Sequence, residues 1–167
     1  LEIGFGTGLN SLLTLKEGKN NHIYYESIEA FPINIDLVDQ LNYTDLDGFK
    51  KFKSNFRLMH SANWNEDIAI TETFILRKKA IDLRDYVPES MFYDLIYFDA
   101  FSPNVQPELW TDIIFTALFQ ALKPGGILVT SSSIGSVKQA LRTAGFTVQR
   151  LRGPHGKRHV LRAQRIT

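Results

Sequence analysis

The stretch Leu1-Glu2-Ile3-Gly4-Phe5-Gly6-Thr7-Gly8-Leu9-Asn10 decides the fold. An apolar strand end runs into three alternating glycines, and a helical pattern of Leu9, Leu12 and Leu13 starts directly behind them. This reads as a strand, a tight turn and a helix. Glycine is needed where backbone must press against a ligand with no Cβ in the way, at torsions other residues resist. The helix that follows points its free N-terminal amides at whatever the turn holds. The spacing is Gly-x-Gly-x-Gly rather than the dinucleotide fingerprint Gly-x-Gly-x-x-Gly, and Glu2 stands two residues before the first glycine. Both details favour S-adenosylmethionine over NAD.

Working outward, the first helix runs from Leu9 to about Glu17 and is closed by Gly18. Ile23 to Glu29 reads as a strand ending in an acid, with Glu29 lying 21 residues after Gly8. A carboxylate there suits the ribose hydroxyls of a nucleoside, because it can accept hydrogen bonds from a diol. Phe31-Pro32 predicts a second helix over Ile33 to Leu41, and residues 45–60 a short Lys- and Phe-rich helix. Alternation around Thr71-Glu72-Thr73 predicts a hairpin of 67–71 with 73–79. The next segment, Ile81 to Val87, reads as a helix in which Asp82 either caps the first turn or approaches the adenine end of the cofactor.

Met91 to Asp99 is apolar on both faces, as a buried parallel strand should be. Asp99 therefore stands at the carboxyl edge of the sheet, where open α/β folds bind ligands. A two-proline loop over 100–107 leads to a helix predicted from Glu108 to Leu122, stopped by Lys123-Pro124-Gly125-Gly126. A strand over Ile127 to Thr130, a helix over Ser136 to Ala144, and strands over Phe146–Arg152 and His159–Ala163 complete the chain. Alternating strands and helices predict an α/β fold: three layers around a mostly parallel sheet, with an antiparallel C-terminal hairpin. A single domain over residues 1–167 is expected, and its short first strand predicts that the natural polypeptide extends upstream.

Composition excludes several classes. At 167 residues, 44% apolar and 22% charged, the chain has the make-up of an ordinary globular domain. With no cysteine and four dispersed histidines, neither a thiolate nucleophile nor a metal site is expected. No apolar run is long enough to span a membrane, and a cytoplasmic protein is the expectation. The net charge of +1 hides a division: Pro124–Thr167 has no Asp or Glu but eight Lys or Arg, leaving 11 basic against 18 acidic residues, or −7, over 1–123. A segregated positive tail is a footprint for phosphate or nucleic acid.

Taken together, Glu2-x-Gly4-Phe5-Gly6-Thr7-Gly8-Leu9-Asn10, Asp99-Ala100-Phe101-Ser102-Pro103 with Pro107 and Trp110, and Ala144-Gly145-Phe146 with Gly153-Pro154-x-Gly156-Lys157-Arg158 resemble the MnmC/MnmD-type tRNA methyltransferases. The resemblance covers essentially the whole chain. It implies a class I S-adenosylmethionine-dependent fold that methylates the aminomethyl nitrogen of 5-aminomethyl-2-thiouridine at the tRNA wobble position. It also implies tRNA, through its anticodon stem-loop, as partner, and in some bacteria a flavin-dependent oxidase, fused or separate. Gly4, Gly6 and Gly8 would line the cofactor together with Glu2 and Asn10, Glu29 would take its ribose, and Asp82 and Asp99 would complete its surroundings. Asp99, Phe101 and Pro103 would form the catalytic pocket, and Lys157, Arg158, Arg152 and Lys138 would face RNA. The chain departs from the family at Lys79-Ala80-Ile81-Asp82, where Gly-Asp is usual, at His159-Val160 and at Ser131-Ser132-Ser133.

Methyl transfer from a sulfonium is mainly a positioning task, worth up to about 7–11 kcal/mol in favourable cases. Asp99 is suited to orient a neutral amine rather than to act as a strong base. Phe101 offers a face on which an unstacked base can lie, and Trp110 reads as helix packing. Two other readings stay open at this level. An aminopropyltransferase-like enzyme would share the fold but has no use for the basic tail, and a non-catalytic RNA-binding module has no need of Glu29 and Asp99.

Overall fold

Strand β1 (Glu2–Ile3) leads into the glycine turn and helix α1 (Leu9–Gly18) leaves it, as the opening residues predict. The structure is a computed structural model and describes residues 1–19, 21–153 and 159–167. It divides into two units, Glu2–Asp82 and Leu83–Thr167, the latter including Leu1.

In the first unit, β1 pairs in parallel with β2 (Ile23–Ile28), setting Glu2 opposite Ser27 and Ile3 opposite Ile28. On its other side β2 pairs in parallel with β4 (Phe74–Lys79), which forms the expected antiparallel hairpin with β3 (Asp67–Thr71). The strand order is β3-β4-β2-β1. Leu12 of α1, Val38 of the short helix α2 (Ile35–Val38) and Phe56 of α3 (Lys53–Ser61) form a buried cluster, against which Ile33, Tyr43 and Phe52 pack.

The second helix is shorter than the predicted Ile33–Leu41. The Asn34 side chain accepts a hydrogen bond from the Asp36 N–H at 3.0 Å and so starts the helix late, leaving Pro32 outside it. Nor is 81–87 a helix. Leu83 and Tyr86 are buried around a turn, and the Tyr86 and Tyr93 hydroxyls share a 2.9 Å hydrogen bond. Burial of these two apolar residues overrides the weak helical pattern, and Asp82 caps no helix.

In the second unit, β5 (Tyr93–Phe98) pairs in parallel with β6 (Leu122–Thr130). Strand β6 pairs antiparallel with β8 (His159–Gln164), which forms the C-terminal hairpin with β7 (Thr147–Arg152). The Leu1 N–H donates to the Leu95 carbonyl and the Tyr97 N–H donates to the Leu1 carbonyl, both at 2.9 Å. Helices α4 (Asp112–Ala121) and α5 (Gly135–Thr143) bury Phe115 and Leu118, and Val137 and Leu141, respectively.

Helix α4 begins four residues later than the predicted Glu108. Pro107–Leu109 forms a separate 3₁₀ turn, and the Thr111 hydroxyl caps α4 by accepting from the Ile114 N–H at 3.3 Å. The following strand starts at Leu122 instead of Ile127, because Gly125, at φ +84°, lets the backbone carry on and donate to the Arg165 carbonyl at 2.7 Å. Arg165 in turn donates from Nη1 to the carbonyls of Phe119, Gln120 and Leu122 at 2.8–3.2 Å, satisfying the C-terminal end of α4. This guanidinium of the basic tail is therefore used inside the fold. None of the described helices is long and apolar enough to cross a membrane.

Candidate active site

The three glycines of the turn adopt φ of +91°, +50° and +73° at Gly4, Gly6 and Gly8, a region that side chains with a Cβ resist. Their order is fixed by backbone bonds: Gly4 N–H to Ile28 O at 2.9 Å, Gly8 N–H to Phe5 O at 2.8 Å, and Leu12 N–H to Gly8 O at 3.1 Å. Gly8 is the cap residue of α1 and offers no side-chain acceptor to the first amides of the helix. A Cβ on Gly6 would meet no protein atom within 4 Å, so the backbone there can be approached closely.

Glu29 follows β2 directly, and both of its oxygens are engaged. Oε2 accepts from the Gly6 N–H and Oε1 from the Phe31 N–H, each at 2.9 Å. The structure thus brings Glu29 and the glycine turn together, as the sequence reading requires. A carboxylate has about four acceptor positions, so two remain for the hydroxyls of a diol. Glu2 is fully buried and takes the Ser27 hydroxyl at 2.7 Å, linking β1 to β2. Asn10 and Asp82 are half-buried, in the first turn of α1 and just beyond β4. A pinned acceptor beside open glycine backbone and a helix N-terminus fits the ribose and amino-acid portions of S-adenosylmethionine.

In the second unit, Asp99 is exposed at the carboxyl end of β5. Phe101 is 63% exposed and so is no core plug, while Pro103 is half-buried. The loop is shaped from within: the N–H groups of Val105 and Gln106 both donate to the Ser102 carbonyl, at 2.8 and 3.0 Å. It is also held from outside. The Trp110 indole N–H donates to the Phe101 carbonyl at 2.9 Å, with its ring 4.8 Å from Phe98 and 6.3 Å from Phe115. Trp110 packs, as read from the sequence, but lies between the 3₁₀ turn and α4 and also ties down the loop.

Of the expected RNA-facing residues, Arg152 is exposed on β7 opposite His159, and Lys138 is half-buried on α5. Lys157 and Arg158 lie outside the described residues. Among the described residues, no group of three His, Asp or Glu could hold a metal ion.

His60, Lys78 and Tyr43 belong to none of the sequence motifs, yet they brace the glycine turn. The His60 Nε2 lies 3.2 Å from the Thr7 carbonyl, the Lys78 Nζ donates to the His60 carbonyl at 2.8 Å, and the Tyr43 hydroxyl is 3.0 Å from Thr7 Oγ1. One signal was available: Lys78 is in phase with Phe74 and Leu76, on the inward face of β4.

Comparison with known proteins agrees with this geometry. Residues 49–166 match the family described as S-adenosyl-L-methionine-dependent methyltransferase. Over 96% of its length the chain is 32% identical to the tRNA 5-methylaminomethyl-2-thiouridine biosynthesis bifunctional protein MnmC of Idiomarina loihiensis, and 31% identical to the protein of that name from Ectopseudomonas mendocina. It spans only 28% and 26% of those two relatives. The crystal structure of MnmC2 from Aquifex aeolicus superposes with a TM-score of 0.67 at 26% identity, over 97% of this chain and 51% of that one. An S-adenosylmethionine-dependent methyltransferase from Mesorhizobium loti shares the fold at a TM-score of 0.56 and 12% identity, covering 98% of this chain and 89% of its own. The fold is thus the Rossmann-like, mostly parallel α/β type of class I enzymes, and S-adenosylmethionine is the cofactor. With its glycine turn, strand-end Glu29 and Asp-x-Phe-x-Pro loop, the chain belongs to the S-adenosyl-L-methionine-dependent methyltransferase family, in its MnmC/MnmD type.

Proposed function

We propose that this chain methylates the aminomethyl nitrogen of 5-aminomethyl-(2-thio)uridine at the tRNA wobble position, and that residues 1–167 work as one methyltransferase domain. The observation that carries this reading is the loop after β5: an exposed carboxylate, Asp99, followed by an exposed ring, Phe101, on a segment tied down by Trp110. The names of the relatives supply the substrate class, and the acid-free basic tail suits an RNA.

When bound, S-adenosylmethionine supplies a methyl group on a sulfonium. Gly4, Gly6, Gly8, Asn10 and Glu29 would hold it, with Glu2 securing the strand beneath, and Asp82 would approach its adenine end. Asp99 would accept a hydrogen bond from the incoming amine and orient its lone pair. An alkylammonium has a pKa of about 10, so the amine gives up a proton to water before it reacts. Asp99 orients it and does not remove that proton. Phe101 carries the unstacked base on its face and Pro103 shapes the pocket wall. Lys138, Arg152, Lys157 and Arg158 hold the backbone of the anticodon stem-loop.

A tRNA substrate places the reaction in the cytoplasm. A flavin-dependent oxidase, fused or separate, is the partner this reading adds, since the relatives are named bifunctional. The test is Asp99→Ala, assayed for S-adenosylmethionine binding and for methylation of undermodified tRNA. Retained binding with methylation lost supports the role of Asp99, and undiminished methylation refutes it.

A further inference from the structure

Under the glycine turn lies a buried polar network that the transfer reaction does not use. Lys78 is 1% exposed, and its Nζ lies 4.6 Å from the centre of the Trp64 ring and 5.5 Å from that of Phe5. Its hydrogen bond to the His60 carbonyl falls in the last turn of α3, where carbonyls lack helical partners and a cation is favourable. The His60 ring reaches the other way. It meets Phe5 edge-on at 5.3 Å and the Thr7 carbonyl at 3.2 Å, and its Nε2 lies 2.9 Å from where a Cβ on Gly8 would stand. Burial pushes the His60 imidazole down to about 4, against the opposing hydrogen bond to Thr7. The ring is therefore neutral near pH 7, and it bonds to the Thr7 carbonyl with the proton on Nε2.

Burying an ammonium is costly, and an apolar side chain of similar length would be cheaper at this position. Burial holds the Lys78 amine down at about 8. A cavity of about 140 Å³, walled by Phe5, Ile33, Val38, His60, Trp64 and Lys78, leaves one side of the network without close packing. The His60 ring packs edge-on against Phe5 and Phe56, at 5.3 and 4.8 Å, and its bond to Thr7 adds the direction that packing on one side alone does not set. What the ammonium supplies, and a hydrocarbon cannot, is the position of the end of α3.

We infer that Lys78 and His60 are positioning residues for the cofactor turn: Lys78 fixes the end of α3, and His60 holds Thr7 and Gly8 so that the Gly6 backbone and the first amides of α1 meet S-adenosylmethionine. This rests on the reading that the glycine turn holds the cofactor.

The test is calorimetric titration of S-adenosylmethionine into the wild type, Lys78→Met, His60→Leu, His60→Gln and Glu29→Ala, with the melting temperature of each. Lys78→Met is expected to bind about tenfold more weakly, the scale of one or two misplaced hydrogen bonds, with a melting temperature unchanged or raised. His60→Leu should weaken binding similarly, and His60→Gln, which keeps a side-chain N–H for Thr7, should recover most of it. Lys78→Met binding within twofold of wild type overturns the inference. If Lys78→Met fails to fold, the histidine pair decides: Leu and Gln binding alike overturns it, and rescue by Gln alone supports it. Failure of the wild type to bind, or a Glu29→Ala variant that binds like wild type, instead overturns the cofactor reading and this inference with it.

Discussion

Trp110→Phe separates a residue that only packs from one that holds the catalytic loop. The substitution keeps an aromatic ring against Phe98 and Phe115 but removes the N–H that donates to the Phe101 carbonyl at 2.9 Å. Losing that bond costs about 1 kcal/mol, and shrinking a side chain that is only 8% exposed costs about another 1 kcal/mol. A loss of about 2 kcal/mol should lower the melting temperature by roughly 4–8 °C for a chain of this size. The catalytic effect should be larger. With the Phe101 carbonyl released, Asp99 and Phe101 lose their fixed position, and a displacement of about 1 Å can cost on the order of 100-fold in rate. Single-turnover methylation of undermodified tRNA should show that fall in rate, with S-adenosylmethionine binding unchanged. A rate within twofold of wild type, alongside the expected loss of stability, would show that Trp110 merely packs.

Three further outcomes are expected. Glu29→Gln replaces the carboxylate that takes the Gly6 and Phe31 N–H groups, and should weaken S-adenosylmethionine by about 10–100-fold in a titration; near-wild-type affinity would remove Glu29 from the site. Changing Lys138, Arg152, Lys157 and Arg158 together to Ala should lower the salt dependence of tRNA binding by up to about three units of slope and leave cofactor affinity alone; an unchanged slope would place the RNA elsewhere. Acid should destabilise the fold through His60, whose pKa is about 4 when folded against an ordinary value of 6.5. The unfolded chain takes up that proton first, so the contribution is complete above pH 6.5 and is lost as pH falls toward 4, by about 1–2 kcal/mol for a partly wetted group. Denaturant midpoints of wild type and His60→Gln between pH 4 and 7 should converge as pH falls, and parallel curves would contradict the assignment. Lys78 acts at the other end: its charged form carries the full burial cost below pH 8, and the cost is relieved as pH rises toward 10.5.

Much of the fold was legible because it is written in local signals. Three glycines at positive φ, an acid ending β2 and a doubly apolar β5 each reflect a short-range constraint, and each forms where it was expected. Boundaries were less readable, because side-chain caps and tertiary burial both compete with the apolar periodicity. Asn34 and Thr111 cap their helices later than the apolar periodicity suggests, and buried Leu83 and Tyr86 turn an apparent helix into a turn. Arg165 shows the limit of counting charges, since composition cannot tell a surface guanidinium from one closing α4. His60 and Lys78 were missed because lone polar residues in ordinary patterns acquire meaning only when α3 and β4 are brought together. Lys78 alone left a trace, as a charge on the inward face of a strand.

The central claim is that this chain moves a methyl group from S-adenosylmethionine to an aminomethyl nitrogen of wobble uridine. Its most direct test incubates the protein with methyl-labelled S-adenosylmethionine and tRNA from cells lacking the modification, then digests the RNA and identifies the labelled nucleoside. The prediction is a single labelled product, 5-methylaminomethyl-(2-thio)uridine, whose label disappears with Asp99→Ala. Label in any other nucleoside, or in free polyamine when that is supplied instead of tRNA, would contradict it.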